Sequence, residues 1–405
     1  MYQMLRGKNG GLKDAVVDFT RRLIKAPSDS LREEAVANLV EKEMIKVGFD
    51  KVFKDEVGNV IGVMFGREAG PTVLFTSHMD SITEGNKKDW DMDPFAGEII
   101  DGKLYGCGAC DAKSGLAAQV YAGALLKRSL LPLQGNIVVA ATVAEQNGLS
   151  LGTRHLFKET LPSLKLKADL AVMGEPTNLG LFYGHDGWMD MDVRVQSSNS
   201  FHASDAVDAI SEELRNGMTS EGGGNFQVFE PYYANAGGER SATIRMRKRL
   251  NSGEEAGAVV TQTERRAMIA AKPSGAVAVS AMLRSEQQQV YTGKTMFTQF
   301  LAQAWTSDPF SPTIERARQS LAAGGMKITP AKWKLGKLGM GTSGATILKE
   351  FGVQVVGFGA GNEEVAHSVN EYVETDKIVE AVYGTMLIAH GIAGIPVCGW
   401  TLDEI

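Results

Sequence analysis

The chain has 405 residues, 43% of them apolar and 22% charged, and a net charge of −6. That length sets two domains as the expectation, and the acidic balance leaves no basic footprint for nucleic acid. No apolar run approaches the ~20 residues of a membrane-spanning helix, and Met1–Arg6 lacks the apolar core of a signal peptide, so the expectation is a cytoplasmic protein without a membrane partner.

Gly11–Ala26 sets Leu12, Val16, Phe19 and Leu23 at helical spacing. A second helix is predicted with Ser30 as its N-cap, Glu33 completing a capping box and Gly48 ending it. Asn59–Phe65 and Thr72–Thr76 read as strands, and Gly115–Lys127 as a small-residue helix able to lie close to a sheet. Strands at Asn136–Ala144 and Asp169–Met173 continue an alternation that predicts an α/β fold, a central mixed sheet flanked by helices.

Near Gly187 the pattern changes. Met189, Met191, Val193 and Val195 alternate with Asp190, Asp192 and Arg194, the mark of a half-buried strand. A helix (Asp205–Arg215), a strand (Thr243–Arg249), another helix and a strand (Ala276–Met282) follow, a β-α-β-β-α-β-like run. Residues 186–300 are therefore read as an inserted α+β, ferredoxin-like domain, and 1–185 with 301–405 as one discontinuous domain. From Ser311 come a helix, the loop Gly339–Gly344, a helix, the strand Val353–Gly357 and a last helix from Asp376.

Polar residues recur where these strands end or loops open: His78 and Asp80, Asp111, Glu145 and Gln146, Glu175, and His367. Chemistry in an open α/β sheet sits at such ends. His78 and His367 with three acidic residues, Asp111, Glu145 and Glu175, are the ligand types of a two-metal hydrolytic centre. Any one of them reads equally well as a satisfied polar residue, but the ordered set does not. Cys107-Gly108-Ala109-Cys110 is a lone C-x-x-C string with no second pair, which disfavours a redox or zinc reading.

The strings GNVIGVMFG, TVLFTSHMDSI, WDMDPFAGEIIDGKLYGCGACDAKSG, TVAEQNG, GEPT, SFHAS and GFGAGNEEVAHSVNEYV run in this order over nearly the whole chain. In them the chain resembles the zinc-dependent aminoacylase and carboxypeptidase family, which includes acetylornithine deacetylase and succinyl-diaminopimelate desuccinylase. Its selenium-metabolism-linked hydrolase branch is the nearest in flavour. The resemblance implies hydrolysis of an amide bond in an N-acyl amino acid, a small dipeptide or a related compound. One or two Zn2+ ions per chain are expected, with Co2+ or Mn2+ as alternatives. It implies that His78 and Glu175 hold one metal, Asp111 bridges and His367 holds the second. Asp80 would fix the His78 tautomer, and Glu145 would be the general base. It further implies that residues 186–300 form a lid through which the chain dimerises, with His202 as an oxyanion donor to the partner's site.

Asn235 is a further candidate lid contact, and the resemblance implies that Thr342, Ser343 and Gly344 bind the substrate carboxylate, with backbone N–H groups as donors. His155, His185 and His390 match no catalytic position. Two departures stand out: Arg247 replaces the family's usual Asp, and Gln146 the second of two consecutive Glu, which would be a ligand of the metal that His367 holds. Gln146 predicts a weakened second site. Two other readings stay open: a non-catalytic binding protein that keeps the fold, and a mononuclear amidohydrolase for a non-peptide amide. An intact Glu145 argues against the first, because a pure binder needs no base.

Overall fold

The computed structural model describes residues 2–146, 150–219, 225–236, 239–275, 277–336 and 339–395. Its larger sheet orders eight strands as Lys51–Lys54, Val60–Met64, Asn136–Thr142, Thr72–His78, Leu170–Met173, Gln354–Gly357, Leu181–Phe182 and Pro330–Ala331. The middle four run parallel, whereas Val60–Met64 is antiparallel to Asn136–Thr142 and Leu181–Phe182 to Gln354–Gly357. The sheet is thus mixed, as expected. Its central strands are continuous apolar runs because helices cover both faces.

On one face the helices Ser114–Ser129 and Thr375–Ala393 pack against each other and the sheet. The small side chains of the first permit a very close approach. A Cβ on Gly115 would lie 1.7 Å from the carbonyl oxygen of Gly174, so only glycine brings this helix start against the strand end that carries Glu175. Leu156, Leu161 and Ile347 close the other face.

The second sheet centres on Gly187–Ser197, which pairs antiparallel with Glu239–Leu250 on one side and Ala278–Leu283 on the other. Phe226–Val228 and Tyr232–Ala236 extend the outer side of Glu239–Leu250. Met189, Met191, Val193 and Val195 point, as their alternation predicts, into a core shared with the helices Ser200–Thr219 and Ala256–Ala271. The opposite face is less wet than alternation alone implies. Asp190 is fully buried, gripped by Arg247 through Nε at 2.6 Å and Nη2 at 2.9 Å, with Arg284 at 3.3 Å. Paired guanidinium groups make that burial tolerable.

The helix Tyr2–Gly10 and the hairpin Ser285–Gln289/Thr295–Gln299 were not foreseen. The turn of the hairpin reaches the larger sheet, where the Tyr291 hydroxyl donates to the Gly58 carbonyl at 2.8 Å. Among the described residues no helix is long and apolar enough to cross a membrane.

One expectation is corrected. The helix Glu34–Val47 has no side-chain cap at its start and no capping box. Ser30 instead donates to Asp80 Oδ2 at 2.6 Å, and Glu33 Oε1 accepts from Leu31 N at 2.8 Å and Ala144 N at 2.9 Å. Both side chains are drawn away to satisfy strand-end groups. Burial, and then the charge of Asp80, push the Glu33 carboxyl up from 4.5 to about 8. A raised native value means that the folded state binds the extra proton, so this group stabilises most below its unfolded value and loses that contribution as pH rises through the folded one. Glu33→Gln mimics the protonated group. It should flatten the decline in urea midpoint between about pH 5 and about pH 8; an unchanged slope contradicts this assignment.

Candidate metal centre

The parallel strands bring their carboxyl ends to one edge. Pairing of His78 with Thr142 and of Thr76 with Met173 sends the chain out into Glu145–Gln146 on one side of His78 and into Glu175 on the other. Asp111 arrives from a kinked segment, Ala109–Lys113, ahead of the helix Ser114–Ser129. Its own N–H and that of Cys110 both donate to Glu371 Oε1, at 3.1 and 2.7 Å. Glu371 is buried and was given no role from sequence, although it lies in one of the motif strings. Its signal was a carboxylate just before the short strand Tyr372–Glu374.

His78, Asp111 and Glu175 are buried, and each offers a ligand atom within 4.8 Å of the others. His78 Nε2 is 3.3 Å from Asp111 Oδ1 and 3.9 Å from Glu175 Oε1. The other oxygen of Asp111 lies 2.6 Å from His367 Nε2 and accepts from the Gln146 amide at 2.9 Å. Asp111 therefore faces both histidines, the placement of a bridge. Asp80 orients His78 mainly through its backbone carbonyl, 2.7 Å from Nδ1, with carboxylate Oδ1 at 3.5 Å. That contact fixes the Nδ1–H tautomer and leaves Nε2 for the cluster. The Asp80 carboxylate instead holds the Glu145–Gln146 turn, accepting from Glu145 N at 3.0 Å and Gln146 N at 2.9 Å.

The electrostatics ask for a cation. Burial, and then the charge of Asp111, push the Glu175 carboxyl well above its ordinary range. Burial opposes a charge on His78, yet hydrogen bonds to Asp111 and Asp80 hold its pKa well above the usual value. Buried carboxylates around His78 thus demand positive charge, and a divalent ion on this nitrogen-and-oxygen donor set meets the same demand. Glu145 is buried, with its carboxyl pushed up to about 7 by that burial, and its Oε2 has no hydrogen-bond partner among the described residues. A buried acceptor held open in this way is available to a proton.

The loop at Thr342–Gly344 stands beside this group, since the Ser343 side chain is close enough to Glu145 to work against the rise in its pKa. Two of the three backbone donors expected to meet substrate are already engaged. Thr342 N donates to His185 Nε2 at 3.0 Å, and Gly344 N to Thr342 Oγ1 at 3.2 Å. Only the Ser343 N–H is without a partner among the described residues. His202 is not in the cluster; it packs against Gly275, where a Cβ would come within 2.8 Å of its ring. The Asn235 side chain lies outside the described residues, while its backbone pairs with Arg240. Arg247 is spent on Asp190 and stacks over Trp188 at 4.6 Å.

The two described cysteines serve separate contacts. Cys110 Sγ donates to the Asn362 carbonyl and accepts its N–H, both at 3.0 Å, and Cys107 Sγ donates to the Ile82 carbonyl at 3.3 Å. Burial, and then the charge of Glu371, push the Cys107 thiol up to about 12, the opposite of a reactive thiolate.

The profile of peptidase family M20/M25/M40 matches residues 74–389. The protein YgeY of Escherichia coli K12, itself uncharacterised, is 28% identical over 383 residues, covering 89% of this chain and 90% of YgeY. The succinyl-diaminopimelate desuccinylase of Wolbachia pipientis wMel is 35% identical over 169 residues, 40% of this chain and 41% of that one. Among solved structures, the di-peptidase Dug1p of Saccharomyces cerevisiae superposes with a TM-score of 0.72 at 13% identity, covering 96% of this chain and 98% of Dug1p.

Proposed function

Because the chain belongs to peptidase family M20/M25/M40, a family of metal-dependent hydrolases, we propose that it cleaves the amide bond of an N-acyl amino acid or a small dipeptide. The observation that carries this reading is the buried Glu145 Oε2, without a hydrogen-bond partner among the described residues, beside the donor set His78, Asp111 and Glu175. His78, Glu175 and Asp111 would hold one ion, and Asp111, His367 and the Gln146 amide oxygen a second. Zn2+ suits these donors, with Co2+ or Mn2+ as substitutes. When bound, the ions supply Lewis-acid polarisation of the scissile carbonyl and acidify water.

The chain's own residues supply the rest. Glu145 Oε2 accepts the proton of the attacking water and returns it to the leaving nitrogen, and its raised pKa suits both steps. Asp80 holds Glu145 in place through the backbone, and Ser343 offers the substrate carboxylate its free N–H. The unit around Gly187–Ser197 acts as a lid and dimer contact, and His202 would complete the partner's site as an oxyanion donor. The protein would work in the cytoplasm. The neutral Gln146 amide, a poorer donor than carboxylate, favours one tight ion and one weak one.

Glu145→Gln should retain metal yet lower turnover by about 10²–10⁴-fold, because only the proton acceptor is lost. Mixed with an inactive His202→Ala protein, it should regain activity through mixed dimers. Full turnover by Glu145→Gln would refute the base, and strictly monomeric behaviour in sedimentation would refute the shared site.

A further inference from the structure

His185 has no part in the metal cluster, yet it makes the tightest connection to the loop beside it. The ring is buried, with Trp305 at 5.5 Å and Trp333 at 5.9 Å, both nearly perpendicular to it. Its Nδ1 is 2.6 Å from the Asp186 carbonyl, which can only accept, so Nδ1 carries the hydrogen and Nε2 is the acceptor. Burial pushes the imidazole down to about 4, which keeps that acceptor in place at neutral pH. Nε2 lies 3.0 Å from Thr342 N and 2.8 Å from Thr342 Oγ1, and this hydroxyl in turn accepts from Gly344 N at 3.2 Å.

The neighbours cannot substitute for it. Trp188 and Trp305 press on the same loop: a Cβ on Gly344 would lie 2.2 Å from the Trp305 ring, and one on Gly341 3.1 Å from Trp188 Nε1. Both indole nitrogens are buried donors without a partner among the described residues. An indole has no acceptor to offer Thr342 N. His185 therefore consumes two loop donors, one directly and one through Thr342, and leaves the Ser343 N–H as the one backbone donor of the three without a partner among the described residues, while Ser343 Oγ accepts from Thr153 Oγ1 at 3.2 Å.

We propose that His185 is a positioning residue that sets the Thr342–Ser343–Gly344 turn, so that Ser343 alone of the three presents its backbone N–H to the carboxylate end of the substrate. The proposal rests on the assignment of this loop to the substrate carboxylate.

The test uses the full-length, metal-loaded protein with N-acetyl amino acids as substrates. His185→Phe keeps the ring and removes the acceptor, and His185→Gln restores an amide oxygen. His185→Phe should raise KM about tenfold with kcat and metal content little changed, the signature of lost ground-state binding. His185→Gln should recover part of that loss. Ser343→Pro, which removes the backbone N–H, should raise KM similarly, and the double variant His185→Phe/Ser343→Pro no further, since the two act as one unit. Multiplying effects, or an unchanged KM in His185→Phe, would overturn the proposal. Should His185→Phe fail to fold, Thr342→Val cuts the same chain of bonds and is read in the same way. Amide hydrogen exchange over residues 339–344 gives a readout that needs no turnover: it should rise about tenfold in His185→Phe and fall back in His185→Gln. If wild type hydrolyses no amide tried, the functional reading fails, while exchange still decides the role of His185; unchanged exchange overturns it.

Discussion

Everything at this site depends on the Asp111 carboxylate being held, buried, between two histidines. One oxygen faces His78 and the other His367, and its backbone is fixed by the buried Glu371. A carboxylate in that position is costly unless positive charge answers it. Its neighbours are arranged accordingly: a second carboxylate, Glu175, is placed near it rather than kept away. Such crowding of like charge is unfavourable in an empty protein interior and favourable around a divalent ion.

The supporting structure is spent on holding these groups at strand ends. Ser30 and Glu33, which could have capped a helix, bind Asp80 and the Ala144 backbone. Asp80, fully buried, then uses its carboxylate on the Glu145–Gln146 turn and its carbonyl on His78. Two layers of hydrogen bonding thus stand between the start of the helix Glu34–Val47 and the cluster. Loss of an outer one should be felt at Glu145 and His78, because each inner group keeps its geometry only through the outer.

How much of this was legible in the sequence varies with the range of the interaction. The apolar runs ending in His78, Glu145 and Glu175 were readable because a parallel strand buried on both faces is a continuous apolar string with its chemistry just after it. The alternation from Met189 to Val195 placed the second sheet in the same way. Capping was misread because the Ser30 and Glu33 spacing is a local signal, and tertiary partners 50 and 111 residues away outbid it. Glu371 and His185 were missed for the same reason: each acts on a segment distant in sequence, Cys110–Asp111 and Thr342. Gln146 was legible as a departure, but its contact with Asp111 was not.

That contact makes the centre asymmetric. Around His78 the donor set includes two carboxylates; around His367 it has Asp111 and a neutral amide. The most direct measurement is anomalous diffraction from crystals soaked in limiting zinc. The account predicts an ion at near-full occupancy against His78, Asp111 and Glu175, and weaker, partial density beside His367. Zinc bound elsewhere, or two equally filled positions, would contradict it.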